Sequence, residues 1–495
     1  MPDPRNPSGS DRDLAAALAL LDQLRPALQQ GDRAKQNEIV RNLIALSAPM
    51  GDQWQALANL VARNGELSLA RAAIDLFVEA RGGDSHAQYA KAALLEQSGA
   101  LREAYDLMRS LPDNVPDPAA NAYSRGTAAL FLGESDEARR QLDRAVRLRP
   151  QSGPAWLSLA MSADLAREPA LAERIIAAER DIARTPPAHH AAYYYAKGKA
   201  HAECGDPAQA FVAFARGARE MKAVMPYDRQ TDRASAAEAV QGYTAENIAA
   251  VARQPGEPTG RAIFVTGLPR SGTTLVQQIL TSHSAVDEGG EISRLPVLAG
   301  EVGGSSYHAL ERYLGRSGAA GAAQRLWGHL LAERFGTPGR VVDKSLDSSR
   351  FLGLAAALLP EAPLVWLTRD PLGRAWSCFR TYFVAGLPWS FDLADMAFHF
   401  RLEDALLRRW QEILGDRLLV VPMEALTAEP EPWIRRLLAH CRLAEEPQVF
   451  TPHERGGTVT TSSTMQVRRP INREATGAAE PYRPFLEPFI KAYYG

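Results

Sequence analysis

Gly267-Leu-Pro-Arg-Ser-Gly-Thr-Thr-Leu275 decides how the C-terminal half of this chain is read. It comes close to the ATP/GTP phosphate loop, G-x-x-x-x-G-K-[ST]. Gly267 and Gly272 have the required separation, but Thr273 stands where the lysine belongs and Arg270 lies three residues before it. Upstream, Arg261-Ala-Ile-Phe-Val-Thr266 is a short apolar run; downstream, residues 273–282 read as a helix. Strand, loop and helix in that order are the setting in which such a motif counts. Backbone N–H groups of Leu268 to Thr274 then form a nest at a helix start, which holds a phosphate whatever molecule carries it. In ATPases the lysine spans two phosphates and the neighbouring hydroxyl holds Mg²⁺. Here Thr273 and Thr274 offer hydrogen bonds, and Arg270 offers a bidentate cation.

Working outward, further strands are expected at Arg340-Val-Val-Asp343, Pro363-Leu-Val-Trp-Leu-Thr368 and Arg417-Leu-Leu-Val-Val-Pro422. Helical stretches lie between them at 350–359 and 392–415. Apolar strands alternating with helices imply a parallel sheet covered on both faces, with ligands at the carboxyl ends of the strands. Two of those ends read Val342-Asp343-Lys344 and Thr368-Arg369-Asp370, with a cation beside each aspartate. Neither resembles an acidic metal-holding strand end, so no metal is expected.

The 495 residues exceed what one hydrophobic core organises, so two or more domains are expected. A net charge of −2 and 23% charged residues speak against binding nucleic acid or anionic membrane through bulk charge. The three cysteines, Cys204, Cys378 and Cys441, are too scattered for a disulfide framework or a metal site. Residues 1–11 read as a disordered tail. The apolar run 14–21 is flanked by Asp11, Asp13 and Asp22, unlike a signal peptide, and no run reaches membrane-span length. A cytoplasmic protein is expected.

The N-terminal half repeats. Gly31, Gly65, Gly99 and Gly133 are each 34 residues apart, and Ala70, Ala104 and Ala138 follow the last three by five. Another period lands on Arg167 and Ala172, and a slightly longer step on Gly205 and Ala210. Small residues precede the turn position by seven (Ala58, Ala92, Gly126, Ala160, Gly198), and Trp54, Trp156 and Tyr194 precede it by eleven. Small residues let two helices approach closely, glycine ends the first helix, and the aromatic fills the groove between neighbours. This pattern resembles the tetratricopeptide repeat, a stacked helical hairpin whose concave face commonly holds peptides or proteins. The organisation expected is a tail (1–11), a tetratricopeptide array (12–220), a connecting segment (221–260) and a P-loop-type α/β domain (261–495). The fold class is therefore α-helical solenoid plus α/β. The array either binds a peptide or protein partner or serves as a scaffold.

Pro269-Arg-Ser-Gly-Thr-Thr274, Gly290-Glu291 and Leu367-Thr-Arg-Asp370, in that order, resemble the sulfotransferases. The nearest likeness is to protein-tyrosine sulfotransferases and bacterial repeat-fused relatives, over about residues 261–485. The resemblance implies 3′-phosphoadenosine 5′-phosphosulfate as donor, adenosine 3′,5′-bisphosphate as product, and a hydroxyl acceptor, tyrosine among the candidates. It implies that Arg270, Ser271, Gly272, Thr273 and Thr274 hold the 5′ phosphosulfate, and that Arg369 and Ser377 grip the 3′ phosphate. It implies Glu291 as base, Lys344 near the bridging oxygen, and Ser463 reaching the sulfuryl group, with Arg469-Pro-Ile-Asn472 in the loop over the nucleotide. His283 is read as packing or capping. Relatives usually carry a basic residue and a tryptophan soon after that loop; here the stretch is Thr476-Gly-Ala-Ala-Glu480, which weakens the grip on the 3′ phosphate unless Arg473 or Arg483 substitutes. The rival readings are a P-loop kinase, and a non-catalytic repeat adaptor fused to a decayed transferase.

Overall fold

A computed structural model of the chain describes residues 9–48, 50–182, 184–336, 339–346, 348–383, 387–454, 470–472 and 477–495. The N-terminal half is helical, and its helices pack as consecutive pairs: Gln53–Arg63 with Leu67–Ala80, Ser85–Gln97 with Leu101–Ser110, and Pro187–Glu203 with Pro207–Val224. The phased glycines are the helix terminators. Gly31, Gly65, Gly99, Gly133 and Gly205 have φ of 66°, 87°, 82°, 82° and 81°, a left-handed conformation that glycine adopts without a Cβ penalty. The small residues seven positions earlier sit where helices touch: a Cβ on Gly198 would lie 2.6 Å from the Phe214 ring, and one on Gly126 would lie 2.7 Å from Leu142. Trp54, Trp156 and Tyr194 are buried.

Compactness divides the chain inside this helical half. One unit comprises Met1–Asn121, Pro296–Glu301 and Arg325–Thr337; the other comprises Ala122–Leu295, Val302–Gln324 and Pro338–Gly495. In the first, Trp54, Leu57, Val61, Ile74 and Phe77 form the core. Its buried carboxylate Glu66 is held by Arg33 at 2.6 Å, Asn37 at 3.0 Å and His329 at 2.9 Å.

The second unit carries a five-stranded parallel sheet of order β2-β3-β1-β4-β5, made of β1 (Ala262–Thr266), β2 (Val286–Gly290), β3 (Arg340–Asp343), β4 (Leu364–Thr368) and β5 (Leu418–Pro422). Four of these match the expected strands to within a residue. β2 was not foreseen, because Val-Asp-Glu-Gly-Gly has neither alternation nor β-branched content beyond its first residue. All five residues of β1 are buried, as a strand covered on both faces requires. Residues 221–260 are largely helical, with Arg229–Val240 and Ala245–Ala252, the latter started by a Thr244–Asn247 capping box.

The last helical pair shares a core with helices of the α/β half. Phe211 stacks on Phe485 at 4.8 Å, Phe214 meets Trp376 edge-on at 5.7 Å, and Trp376 stacks on Tyr482 at 3.6 Å. Tyr382 donates its hydroxyl to Ala188 O at 3.1 Å. Lys222 pairs with Asp392 at 2.8 Å and Arg229 with Asp395 at 2.7 Å. Among the described residues, no helix is long and apolar enough to cross a membrane.

Candidate functional site

Sheet order sets the site. Glu291 follows β2, Lys344 follows β3, the 267–272 loop follows β1, Arg369 follows β4 and Met423 follows β5. Parallel strands put all five at one edge, in that spatial order, about 4.8 Å from strand to strand. β1 lies between β3 and β4, so the chain leaves it to opposite sides, which is where such sheets open a ligand crevice.

The loop depends on its glycines. Gly267 has φ of 137°, and a Cβ there would lie 2.6 Å from Leu367 O; Gly272 has φ of 98°, and a Cβ there would lie 2.3 Å from Met423 Sδ. Arg270 also takes a left-handed φ, 66°. Ser271 Oγ donates to Leu268 O at 2.6 Å and tightens the turn. Thr273 and Thr274, both buried, open the helix Thr273–Thr281. Because Leu367 O is backbone and cannot step aside, Gly267→Ala is expected to destabilise the protein by at least about 1–3 kcal/mol. A fall in the urea unfolding midpoint reads this; an unchanged midpoint would mean that the loop relaxes freely.

Arg270, Arg369 and Ser377 come together. Arg270 Nε donates to Ser377 Oγ at 2.9 Å, and an Arg369 guanidinium nitrogen donates to Arg270 O at 2.8 Å. Burial pushes the Arg270 guanidinium down to about 10, with repulsion from Arg380 and Arg369 adding to it. Burial lowers Arg369 and Arg380 as well. Gathering like charges out of water is costly unless an anion is to be held there. Arg380 was missed in the sequence; its signal is its spacing, three residues after Ser377 at the end of the same helix. Beside this cluster opens a cavity of about 680 Å³, lined by Arg369, Met423, Glu424, Asn472, Arg483 and Tyr494 among others. That volume suits a nucleotide-sized ligand. Arg483 thus shares the Arg369 cavity, whereas Arg473, Ser463 and Arg469 lie outside the described residues.

At the other end, Lys344 Nζ lies 2.8 Å from Glu291 Oε1. Lys344 is 2% exposed and Glu291 46%, so a buried ammonium meets a carboxylate that faces solvent. His283 packs: its Nε2 donates to Ala444 O at 3.0 Å and its Nδ1 accepts from Ala285 N–H at 3.0 Å. Both ring nitrogens are engaged with backbone groups.

Residues 262–447 match the sulfotransferase family. The C-terminal half carries a sulfotransferase-family domain. An uncharacterised protein of Aquifex aeolicus is 26% identical over 416 residues, which is 80% of this chain and 53% of that one. Protein-tyrosine sulfotransferase 1 of Danio rerio is 27% identical over 237 residues (43% of this chain, 64% of that one), and the Drosophila melanogaster protein-tyrosine sulfotransferase is 25% identical over 229 (43% and 46%). The chain therefore spans between about half and two thirds of the length of these relatives. Among solved structures, the sulfotransferase domain of the curacin biosynthetic pathway is 16% identical, with a TM-score of 0.32, covering 46% of this chain and 99% of that domain.

Proposed function

We propose that the chain moves a sulfuryl group from 3′-phosphoadenosine 5′-phosphosulfate to a hydroxyl acceptor. The observation that carries this reading is the Glu291–Lys344 pair, standing one strand away from a phosphate loop that has Thr273 at the ATPase lysine position and Arg270 three residues before it. The loop from Arg270 to Thr274 holds the 5′ phosphosulfate. Arg369 and Ser377 hold the 3′ phosphate, and Arg483 is the cation of that cavity that stands in for the missing basic residue at 476–480.

Transfer is an in-line displacement, in which positioning and charge stabilisation do most of the catalysis. The acceptor oxygen forms a bond to sulfur while the bridging bond from sulfur to the phosphate oxygen breaks. Glu291 takes the acceptor proton as it is lost, and the negative charge left on the phosphate oxygen is met by Lys344 and Arg270. Lys344 lies between the base and the loop in strand order, so it can serve the leaving oxygen while it orients Glu291. Ser463 is assigned to the sulfuryl group by resemblance alone.

A protein or peptide hydroxyl, tyrosine first, is the acceptor this reading favours. Two protein-tyrosine sulfotransferases are similar to the chain, and a helical repeat is a surface suited to presenting a polypeptide. Calorimetric titration with adenosine 3′,5′-bisphosphate, with ATP plus Mg²⁺ as control, tests the donor. Bisphosphate binding is expected in the wild type, with ATP binding much weaker. Arg270→Ala is expected to lose at least about tenfold in affinity, since a charge-assisted bidentate contact contributes some 1.5–3 kcal/mol. Preference for ATP would favour a kinase, and bisphosphate binding without turnover on any acceptor would favour a non-catalytic adaptor.

A further inference from the structure

Glu291 lies outside regular structure, between the end of β2 at Gly290 and the helix that begins at Leu295. Among the described residues, four that are not glycine have a left-handed φ: Ser47, Arg270, Ser293 and Arg442. Ser47 and Arg442 are helix C-caps, where this conformation is routine. The other two are Arg270 of the phosphate loop and Ser293, with φ of 50°, two residues after Glu291. A serine stays there only when its surroundings hold it.

The holding contact comes from the neighbouring strand. Ser293 N–H donates to Ser345 Oγ at 2.6 Å, and Ser345 Oγ donates to Asp343 Oδ1 at 2.5 Å. Ser345 N–H donates to the same carboxylate oxygen at 3.0 Å. Asp343 and Ser345 are buried, at 0% and 1% exposure. Between them, Lys344 N–H donates to Gly290 O at 2.8 Å. The two strand ends are therefore laced twice, once just before Glu291 and once just after it. Only a hydroxyl accepts from the Ser293 amide while donating to a buried carboxylate; a methyl does neither, and a thiol does both weakly.

We infer that Ser345, oriented by Asp343, is a positioning residue: it holds the 291–293 turn in the left-handed geometry that keeps the Glu291 carboxylate on Lys344. Its consequence for turnover rests on the reading of Glu291 as the base. Ser345→Ala in the full chain tests it. With 3′-phosphoadenosine 5′-phosphosulfate as donor and 4-nitrophenol or water as acceptor, kcat is expected to fall about 10–100-fold, the scale of a small misplacement of a reacting group. The KM for donor and the affinity for adenosine 3′,5′-bisphosphate stay at wild-type values. Acetylation of Lys344, read by peptide mass spectrometry, rises several-fold as the pair opens. Ser345→Cys, which keeps the volume, shows the same losses even if the alanine variant folds poorly. Adding Ser293→Gly to Ser345→Ala restores turnover and Lys344 protection, because glycine takes the left-handed conformation unaided. A packing defect would not be cured that way. Wild-type turnover and Lys344 labelling in Ser345→Ala and Ser345→Cys would overturn the assignment, as would a joint loss of bisphosphate affinity and turnover that glycine does not recover. If the wild type binds no bisphosphate, the donor reading fails, while Lys344 labelling still decides whether the clamp exists.

Discussion

Glu291→Gln is expected to lower kcat by about 10²–10⁴-fold, the usual contribution of a positioned general base. Glutamine keeps the size and the hydrogen bond to Lys344 but has no basicity, so the acceptor hydroxyl must attack without giving up its proton. Glu291 is half exposed and makes an ion pair at the end of its strand, so the change leaves the core intact. Bisphosphate affinity should stay near that of the wild type, because Arg369 and Ser377 lie two strands away, beyond β3 and β1. Single-turnover kinetics separate the two effects. Near-normal turnover would remove Glu291 from the mechanism, and loss of bisphosphate binding would mean that the carboxylate shapes the donor site instead.

Removing the helices Pro187–Glu203 and Pro207–Val224 is expected to abolish the fold of the sulfotransferase domain, although they precede its first strand by some forty residues in sequence. Phe211, Phe214 and Tyr195 belong to the same core as Trp376, Phe379, Tyr482 and Phe489. Without the hairpin, the aromatic face that includes Trp376 is left in water. Trp376 adjoins Ser377, so the layer also braces the helix Pro371–Phe379 that carries this part of the proposed donor site. A chain beginning at residue 255 should therefore fail to unfold cooperatively in urea and should bind no bisphosphate. The single change Trp376→Ala should cost about 3–5 kcal/mol, as large aromatic truncations in a core do, and should weaken bisphosphate binding alongside. A soluble 255–495 fragment with wild-type affinity would show that the hairpin is dispensable.

Much of this was readable because it is local. The glycine loop is nine consecutive residues, and Thr273 at the lysine position, with Arg270 three residues before it, already turned the reading away from ATP. The phased glycines announced themselves by period, because each must end a helix in a conformation that other residues resist. Four strands and the packing of His283 followed from apolar runs and a helix-ending stretch. The acidic, glycine-rich β2 carried no such mark, since pairing to β3 rather than intrinsic preference makes it a strand. Arg380 was overlooked for a related reason: a lone arginine at a helix end has meaning only once Arg270 and Arg369 are beside it.

By itself, then, the sequence determined the parts: a helical N-terminal half, a parallel α/β half, a glycine loop after its first strand, and cations at the strand ends. Only the tertiary structure decided their neighbours. The order β2-β3-β1-β4-β5 sets Glu291 against Lys344, fifty-three residues further along the chain, and bends the Ser293 turn onto Ser345. The aromatic layer makes the helical hairpin 187–224 part of the core of the C-terminal half. Periodicity reports which face of an element is buried; the choice of partner comes from side-chain packing and strand register between segments far apart in the chain.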